Sequence, residues 1–598
     1  MQKTWKGINE IISCNKTGRE SLSSLNVNGV LNSYHNIIAE SFNSFFSNIS
    51  MSIRNKIPFT NKNFRNYLPN ANLNSIFLSP TSTEEVLNCI NNINSNKATG
   101  PNSIPPKILN LLKHDLSVTL SKLINLSFSS GTFPSLLKTA KVIPVYKKGS
   151  PFEVENYRPI SLLSNLDKIF QKLMHKRVIR FLESHKVLYS LQFGFRAKHS
   201  TQTSLINITE RILQSLDRGE VACGVFLDLQ KAFDTVDHPI LLAKLRHYGI
   251  RGKALHWFKS FLSNRSQFVS FHNSKSPISL IIHGIPQGSV LGPLLFLIYI
   301  NDMHGAVKFS SIFHFADDTN LLNCSRNLKQ LTKQVNIDLK LLLNWLNANL
   351  ISLNASKSEY IIFKHKRRQI YFDPRIKING KRLFPSNFIK YLGIYIDENL
   401  NWSQQVNDLA PKLKRANGAL SKLRHFIPQP LLISVYHAIF FSHISYACQI
   451  WAQRETYITR RIFLLQKRAV RIMSNAHWLS HSNPIFLNLK LIKLFDFVTL
   501  QNVLFVHKLL NDKLPLCLHD TFSFNRFDLT HGIRGRKPGS LVQFNFKTVS
   551  FGQYSIQNQS IAAWNSMQTN LHLDDLSGLT LSKLKTLLTS YILSGYID

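Results

Sequence analysis

Three short apolar runs constrain this chain more than any other feature. Val221–Leu227, Ser311–Ala316 and Tyr360–Phe363 are too brief for free-standing helices and suit strands buried in a core. Two of them end in acid: Asp228 closes the first and Asp317-Asp318 the second. Acids are scarce, 33 Asp+Glu against 72 Lys+Arg, so their placement at strand ends is informative. Asn379-Gly380, flanked by Ile376, Ile378 and Leu383, signals a tight hairpin. Strands mixed with long helices, without strict alternation, point to an α+β fold around an antiparallel sheet.

Helical patterns surround these runs. Ser82, Glu84 and Glu85 before Val86 and Leu87 make a helix start, and Lys97-Ala98-Thr99-Gly100-Pro101 a turn-rich loop. Leu166, Ile169, Phe170, Leu173 and Met174 recur at helical spacing, with Lys168, Lys172, Lys176 and Arg180 largely off that stripe. Leu409, Leu413, Ala416, Leu420 and Leu423 form one face of a later helix; Lys412, Lys414, Arg415, Lys422 and Arg424 occupy much of the rest. Beyond 455 come a basic helix, Arg460–Met473, and a Gly/Pro-rich stretch with Arg534, Arg536 and Lys537. The Asn- and Ser-rich opening, with amphipathic pieces such as Ile37–Ile49, reads as a helical, partly mobile lead-in.

At 598 residues the chain has room for roughly three to five domains. An apolar content of 44% with 41 Phe excludes a wholly disordered chain. The net charge of +39 makes the surface self-repelling, and a polyanion relieves that repulsion while releasing counterions. Nucleic acid is therefore the first partner, with a generic membrane surface behind it. Cys14, Cys89, Cys223, Cys324, Cys448 and Cys517 lie far apart, so neither a zinc knuckle nor a disulfide framework can be written, and the compartment reads as reducing. The opening residues lack a secretory signal. Val290–Ile300 is too short to span a bilayer, and Leu431–Cys448 is interrupted by His437, Ser442, His443 and Ser445. A soluble chain without a membrane partner is expected.

Two-metal phosphoryl transfer needs carboxylates converging on Mg²⁺ ions about 3.5–4 Å apart. Mg²⁺ takes oxygen ligands, keeps waters and completes its shell with substrate phosphates. Taken alone, Asp317-Asp318 reads as a hairpin turn. Between the acids, Gly284–Pro293 forms a loop whose backbone can approach a ligand, opening onto an apolar helix Leu294–Ile300. A plain loop explains the glycines but not Gln287. Lys141–Gly149 is a strand with cationic ends, and Asn156-Tyr157-Arg158-Pro159-Ile160 follows it. A Lys and an Arg there suit either a triphosphate clamp or a solvated hairpin.

The order of Lys141–Gly149, Asn156–Ser161, Gln192-Phe193-Gly194-Phe195-Arg196, Phe226–His238, Gly284–Pro293, Phe315–Asp318, Leu353–Lys357 and Tyr391–Gly393 resembles the reverse transcriptases of non-LTR (LINE-type), especially jockey-like, retrotransposons. The resemblance covers about residues 80–455. It implies a right-hand polymerase with fingers at 80–215, a palm at 216–399 and a thumb at 400–455, between the 1–79 lead-in and a basic 456–598 region. It implies an RNA-directed DNA polymerase using two Mg²⁺ (Mn²⁺ able to substitute), an RNA template, a DNA primer or target DNA, and dNTPs. Such a ribonucleoprotein would work in the nucleus, the cytoplasm or both. By the same resemblance Asp228 and Asp317 would bind the metals, with the Leu229 carbonyl as an added ligand and Asp318 completing the acidic site. Lys141 and Arg158 would hold the triphosphate. Phe233 would collide with a ribose 2′-OH, Gln287 and Gly288 would line the nucleotide pocket, and Lys357 would sit behind it. Tyr391, Leu392 and Gly393 would form a primer grip, and Lys412, Lys414 and Arg415 would track the duplex.

Elements of this kind usually carry an endonuclease upstream, and the lead-in is too short for one, so target nicking is not assigned. No Cys/His knuckle or acidic RNase H pattern follows residue 455. Asp234, Asp237 and His238 are expected to structure the turn into the next helix. Lys364-His365-Lys366-Arg367-Arg368 reads as a solvated hairpin loop or phosphate contact, or as a nuclear-import patch. Two other functions compete: an RNA-templated RNA polymerase, against which Phe233 argues, and a non-catalytic nucleic-acid-binding remnant of a retroelement, disfavoured by the intact acids.

Overall fold

The computed structural model describes Gly7 and residues 24–27, 29–96, 98–101, 104–369, 371–524, 539–573 and 575–597. Cys14, Lys97, Arg534, Arg536 and Lys537 lie outside the described residues. A four-stranded antiparallel sheet sits at the centre, in the order Glu359–Phe363, Val221–Leu227, Asp318–Ser325, Ser311–Phe315. Both of its faces are covered. Ala222, Phe313, Leu322, Ile361 and Phe363 enter one core, and Val221, Cys223, Val225, Leu227, Ile312, Leu321, Tyr360 and Ile362 the other. That double burial is why the strands read as near-continuous apolar runs, with successive side chains still sorted to opposite faces. The fold is α+β, as expected.

A five-stranded sheet flanks it. Thr139–Tyr146 pairs antiparallel with Tyr157–Leu162 and parallel with Arg265–Phe271, which also carries Ser274–Lys275 and Ser279–Ile281. The helix His35–Arg54 packs on this sheet: Ile38, Phe42 and Phe46 share a small core with Val142, Tyr157, Val269 and Phe271. Much of the supposed lead-in is thus built into the fold. Amphipathic spacing exposed the helix, but its partner strands lie from about one hundred to over two hundred residues away and left no local mark.

Helix signals read from short motifs recur in the structure. Ser82 caps Thr83–Asn91 by accepting the Glu85 amide, and the Leu166–Met174 stripe belongs to Asn165–Ser184. Asn379-Gly380 turns the hairpin Lys377–Arg382 with both φ positive. The helix Ser403–Leu423 lays Leu409, Leu413, Ala416, Leu420 and Leu423 in one core with Ile462, Ala469, Val470 and Met473 of Tyr457–Met473. That core continues through Val503, Trp564 and Leu588 and reaches the central sheet, so packing runs without a break across residue 455. Among the described residues, no helix is long and apolar enough to cross a membrane. The described cysteines are free thiols.

Candidate active site

The carboxylates meet where the central sheet ends. Leu227 pairs with Thr319, so the next register step sets Asp228 beside Asp318, and Asp317 sits in the turn joining Ser311–Phe315 to Asp318–Ser325. Asp317 and Asp318 have solvent-accessible side chains, yet the protein crowding around them raises both carboxyls. Asp318 is pushed up to about 6 by this desolvation and then by the charges of Asp317 and Asp228. In Asp317 the charge of Asp228 adds to desolvation, and Arg158 and Lys147 oppose it. Such mutual crowding of acids is relieved by a bound cation.

Other motifs hold this turn in place. Phe193 donates its amide to the His314 carbonyl at 2.8 Å, and Gln192 Oε1 accepts the amides of Gly194 (2.8 Å) and Ala316 (3.2 Å). Ala316 has φ +56°, and a Cβ on Gly194 would collide with its backbone nitrogen. The Gln192–Gly194 segment therefore buttresses the acidic turn from outside the sheet. On the other side Asn354 donates from Nδ2 to Asp228 Oδ2 (3.1 Å) and from its amide to the Asp228 carbonyl (2.8 Å). The Leu229 backbone bridges to Leu353.

Cations ring the acids. Lys357 Nζ lies 3.9 Å from Asp228 Oδ2. Lys147 is lowered first by burial, then by the neighbouring charges of Arg158 and Lys357, and Asp228 opposes that shift. Lys141 is elsewhere on the same strand. It pairs with Leu162, whereas Arg158 pairs with Val145, a separation of about 13 Å along one face at strand spacing. The cation that shares the acids' field with Arg158 is thus Lys147. It lay within the cationic strand singled out from sequence, but only the register distinguishes the two ends.

Phe233 and the glycine loop form one assembly. The Phe233 ring stacks on Phe296 at 4.6 Å, and its carbonyl accepts the Ile285 amide at 2.9 Å. Gly288 has φ +122°, and a Cβ there would lie 2.5 Å from the Ser161 carbonyl oxygen. The Gln287 carbonyl accepts the Ser161 amide (2.7 Å), and its side chain donates to Asp234 Oδ1 (2.8 Å). Farther along, Gln171 Oε1 accepts from Ser289 Oγ and the Leu291 amide, tying the loop to the helix Asn165–Ser184. Asp237 caps His238–His247 by accepting the Ile240 amide and pairs with Arg54 at 2.6 Å. His238 Nε2 contacts the Gly284 carbonyl at 2.8 Å. Asp237 and His238 structure the turn as expected, while Asp234 reaches across to Gln287.

Tyr391 is buried, its hydroxyl 3.0 Å from Ser204 Oγ, so the side chain anchors its hairpin from within. The turn Leu392-Gly393 has both φ positive, and Tyr446 donates its hydroxyl to the Leu392 carbonyl at 2.6 Å. On the helix Ser403–Leu423, Lys414 and Arg415 are exposed, whereas Lys412 pairs with Asp408 at 2.6 Å. Among the described residues, no group of three or more His, Cys, Asp or Glu side chains is placed to hold a metal ion. A pair of carboxylates with open positions is a donor set that Mg²⁺ accepts, because it keeps waters and substrate oxygens in its shell.

Strand-end acids, nearby cations and a glycine loop bonded to the Phe233 segment thus come together at one end of the central sheet. Residues 145–396 belong to the reverse transcriptase (RNA-dependent DNA polymerase) domain family. The chain is 30% identical over 440 residues to the RNA-directed DNA polymerase from mobile element jockey of Drosophila melanogaster, covering 72% of this chain and 47% of that protein. It is 30% identical over 434 residues to the probable RNA-directed DNA polymerase from transposon X-element of the same species, covering 70% and 47%. A third relative there, from transposon BS, is 28% identical over 437 residues, covering 70% and 47%. The chain thus carries a reverse transcriptase domain match at residues 145–396, is similar over about 70% of its length to the polymerases of non-LTR retrotransposons, and spans about half the length of these curated relatives.

Proposed function

We propose that this chain is an RNA-directed DNA polymerase that extends a primer 3′-OH with dNTPs on an RNA template. The observation that carries the reading is the convergence of Asp228, Asp317 and Asp318 at one sheet end, faced by Lys147, Arg158 and Lys357. Asp228 and Asp317 would hold two Mg²⁺, or Mn²⁺ in their place, with the Leu229 carbonyl as a further ligand and Asp318 adding negative charge. When bound, the ions acidify the attacking hydroxyl and stabilise charge on the reacting phosphate. Arg158 and Lys147 bind and orient the triphosphate, with Lys357 behind the acids and Lys141 at the far end of the same strand face. Phe233 limits space at the sugar 2′ position, and Gln287 and Gly288 line the nucleotide pocket. The turn Leu392-Gly393, anchored through Tyr391, supports the primer end. Lys414 and Arg415, with Lys412 beside them, position the duplex through its phosphates without reading bases.

The test is primer extension on an RNA template with Mg²⁺ and dNTPs, beside Asp317→Ala and Lys147→Ala. Extension by the wild type that is lost in Asp317→Ala and weakened through the KM for dNTP in Lys147→Ala supports the reading. Equal extension by wild type and Asp317→Ala overturns the metal assignment. A folded wild type that binds RNA but never extends a primer would be a binding remnant.

A further inference from the structure

We propose that Asp234 is a positioning residue that sets the width of the nucleotide pocket by tying the Phe233 segment to the Gln287 loop. The inference rests on the polymerase reading and deepens it by assigning sugar discrimination to a residue beneath the pocket.

Asp234 follows Phe233 directly; the residue is half-buried, and its Oδ2 is shut off from solvent. Its Oδ1 accepts the Gln287 side-chain amide at 2.8 Å. Its other oxygen has no hydrogen-bond partner among the described residues. That carboxylate lines a cavity of about 50 Å³ shared with His283 and with Arg265, whose Nη2 makes no hydrogen bond among the described residues and lies 3.9 Å from Asp167 Oδ2. The space suffices for a water.

The two segments are held together by backbone as well. Ile285 donates to the Phe233 carbonyl (2.9 Å) and Gly284 to the Val236 carbonyl (2.8 Å). A Cβ on Gly284 would lie 2.6 Å from the Asp234 carbonyl oxygen, so the loop approaches as closely as a glycine allows. On the opposite side the Phe233 ring is backed by Phe296. The ring therefore has one rigid wall and one wall whose position depends on the Asp234–Gln287 bond. Asp234 reaches the substrate only through those neighbours, so its loss should widen the sugar pocket and leave the acids at the sheet end in place.

The experiment compares wild type, Asp234→Ala and Asp234→Asn in single-nucleotide incorporation of dNTP and rNTP on an RNA template. Amide hydrogen exchange of residues 233–236 and 284–288 is measured on the same proteins. The asparagine keeps an oxygen able to accept the Gln287 amide. In Asp234→Ala we expect rNTP use relative to dNTP to rise by about tenfold, the size expected from losing one buried charge-assisted hydrogen bond. The change should appear in KM, with kcat for dNTP kept within about threefold and near-wild-type behaviour in Asp234→Asn. The Ile285 and Gly284 amides should exchange faster in Asp234→Ala alone. An unchanged sugar ratio with unchanged exchange overturns the proposal, as does an equal effect of both variants. Should the wild type fail to extend at all, the polymerase reading falls by itself, and the exchange result decides whether Asp234 ties the two segments.

Discussion

Single residues at the site carry opposing demands. Desolvation by the surrounding protein, and after it the charges of Asp317 and Asp228, push the Asp318 carboxyl up to about 6. A divalent cation must displace the carboxyl proton, so its affinity falls as pH drops through this value. We expect the Mg²⁺ concentration for half-maximal extension to rise between pH 7.5 and pH 5.5, and Asp318→Asn to flatten the dependence; metal titrations at several pH values measure it. The sign for stability is opposite. A carboxyl raised in the folded state binds its proton more tightly there, so its destabilising contribution is present above about pH 6 and removed on acidification. Gly288 shows a different constraint. With φ +122° and the Ser161 carbonyl 2.5 Å from any Cβ, Gly288→Ala should lower stability by about 1–3 kcal/mol and displace the loop, read as a lower melting temperature with weaker dNTP binding.

At the scale of elements, legibility followed the range of the interaction. Val221–Leu227, the cap at Ser82 and the Asn379-Gly380 turn were readable because pattern and cause lie within a few residues. Lys147 was not separable from Lys141, since only the pairing of Val145 with Arg158 places one end near the acids. The support of the acidic turn by Gln192 and Gly194 was equally hidden: the motif was visible, but its contact with Ala316 joins segments over a hundred residues apart. The hairpin Phe388–Asp397 offers a test at this scale. Its turn is tied down by the Tyr446 hydroxyl on the Leu392 carbonyl. Tyr446→Phe should cost about 1 kcal/mol of stability or less while loosening the turn. The expected readout is shorter extension products per binding event, with the rate of single-nucleotide addition kept.

For the whole molecule the dominant fact is charge, and where the charge can be probed. Lys414, Arg415 and Arg468 stand exposed on two helices packed against each other. If all three contact RNA phosphates, replacing them with Ala should reduce the slope of log affinity against log salt by about 2, at roughly 0.7 per contact for a single strand. An unchanged slope would remove these residues from the interface. Truncation at 455 is a poorer probe, because it would strip Ile462, Val470, Trp564 and Leu588 from the core that covers Ser403–Leu423. The same continuity bears on how such a gene decays. A late nonsense mutation leaves every strand-end acid encoded, yet the translated product would expose apolar surface beside the central sheet. Intact site residues in a shortened reading frame would therefore not certify a working enzyme, and reading frames that keep these acids should be judged first by whether the distal helices survive.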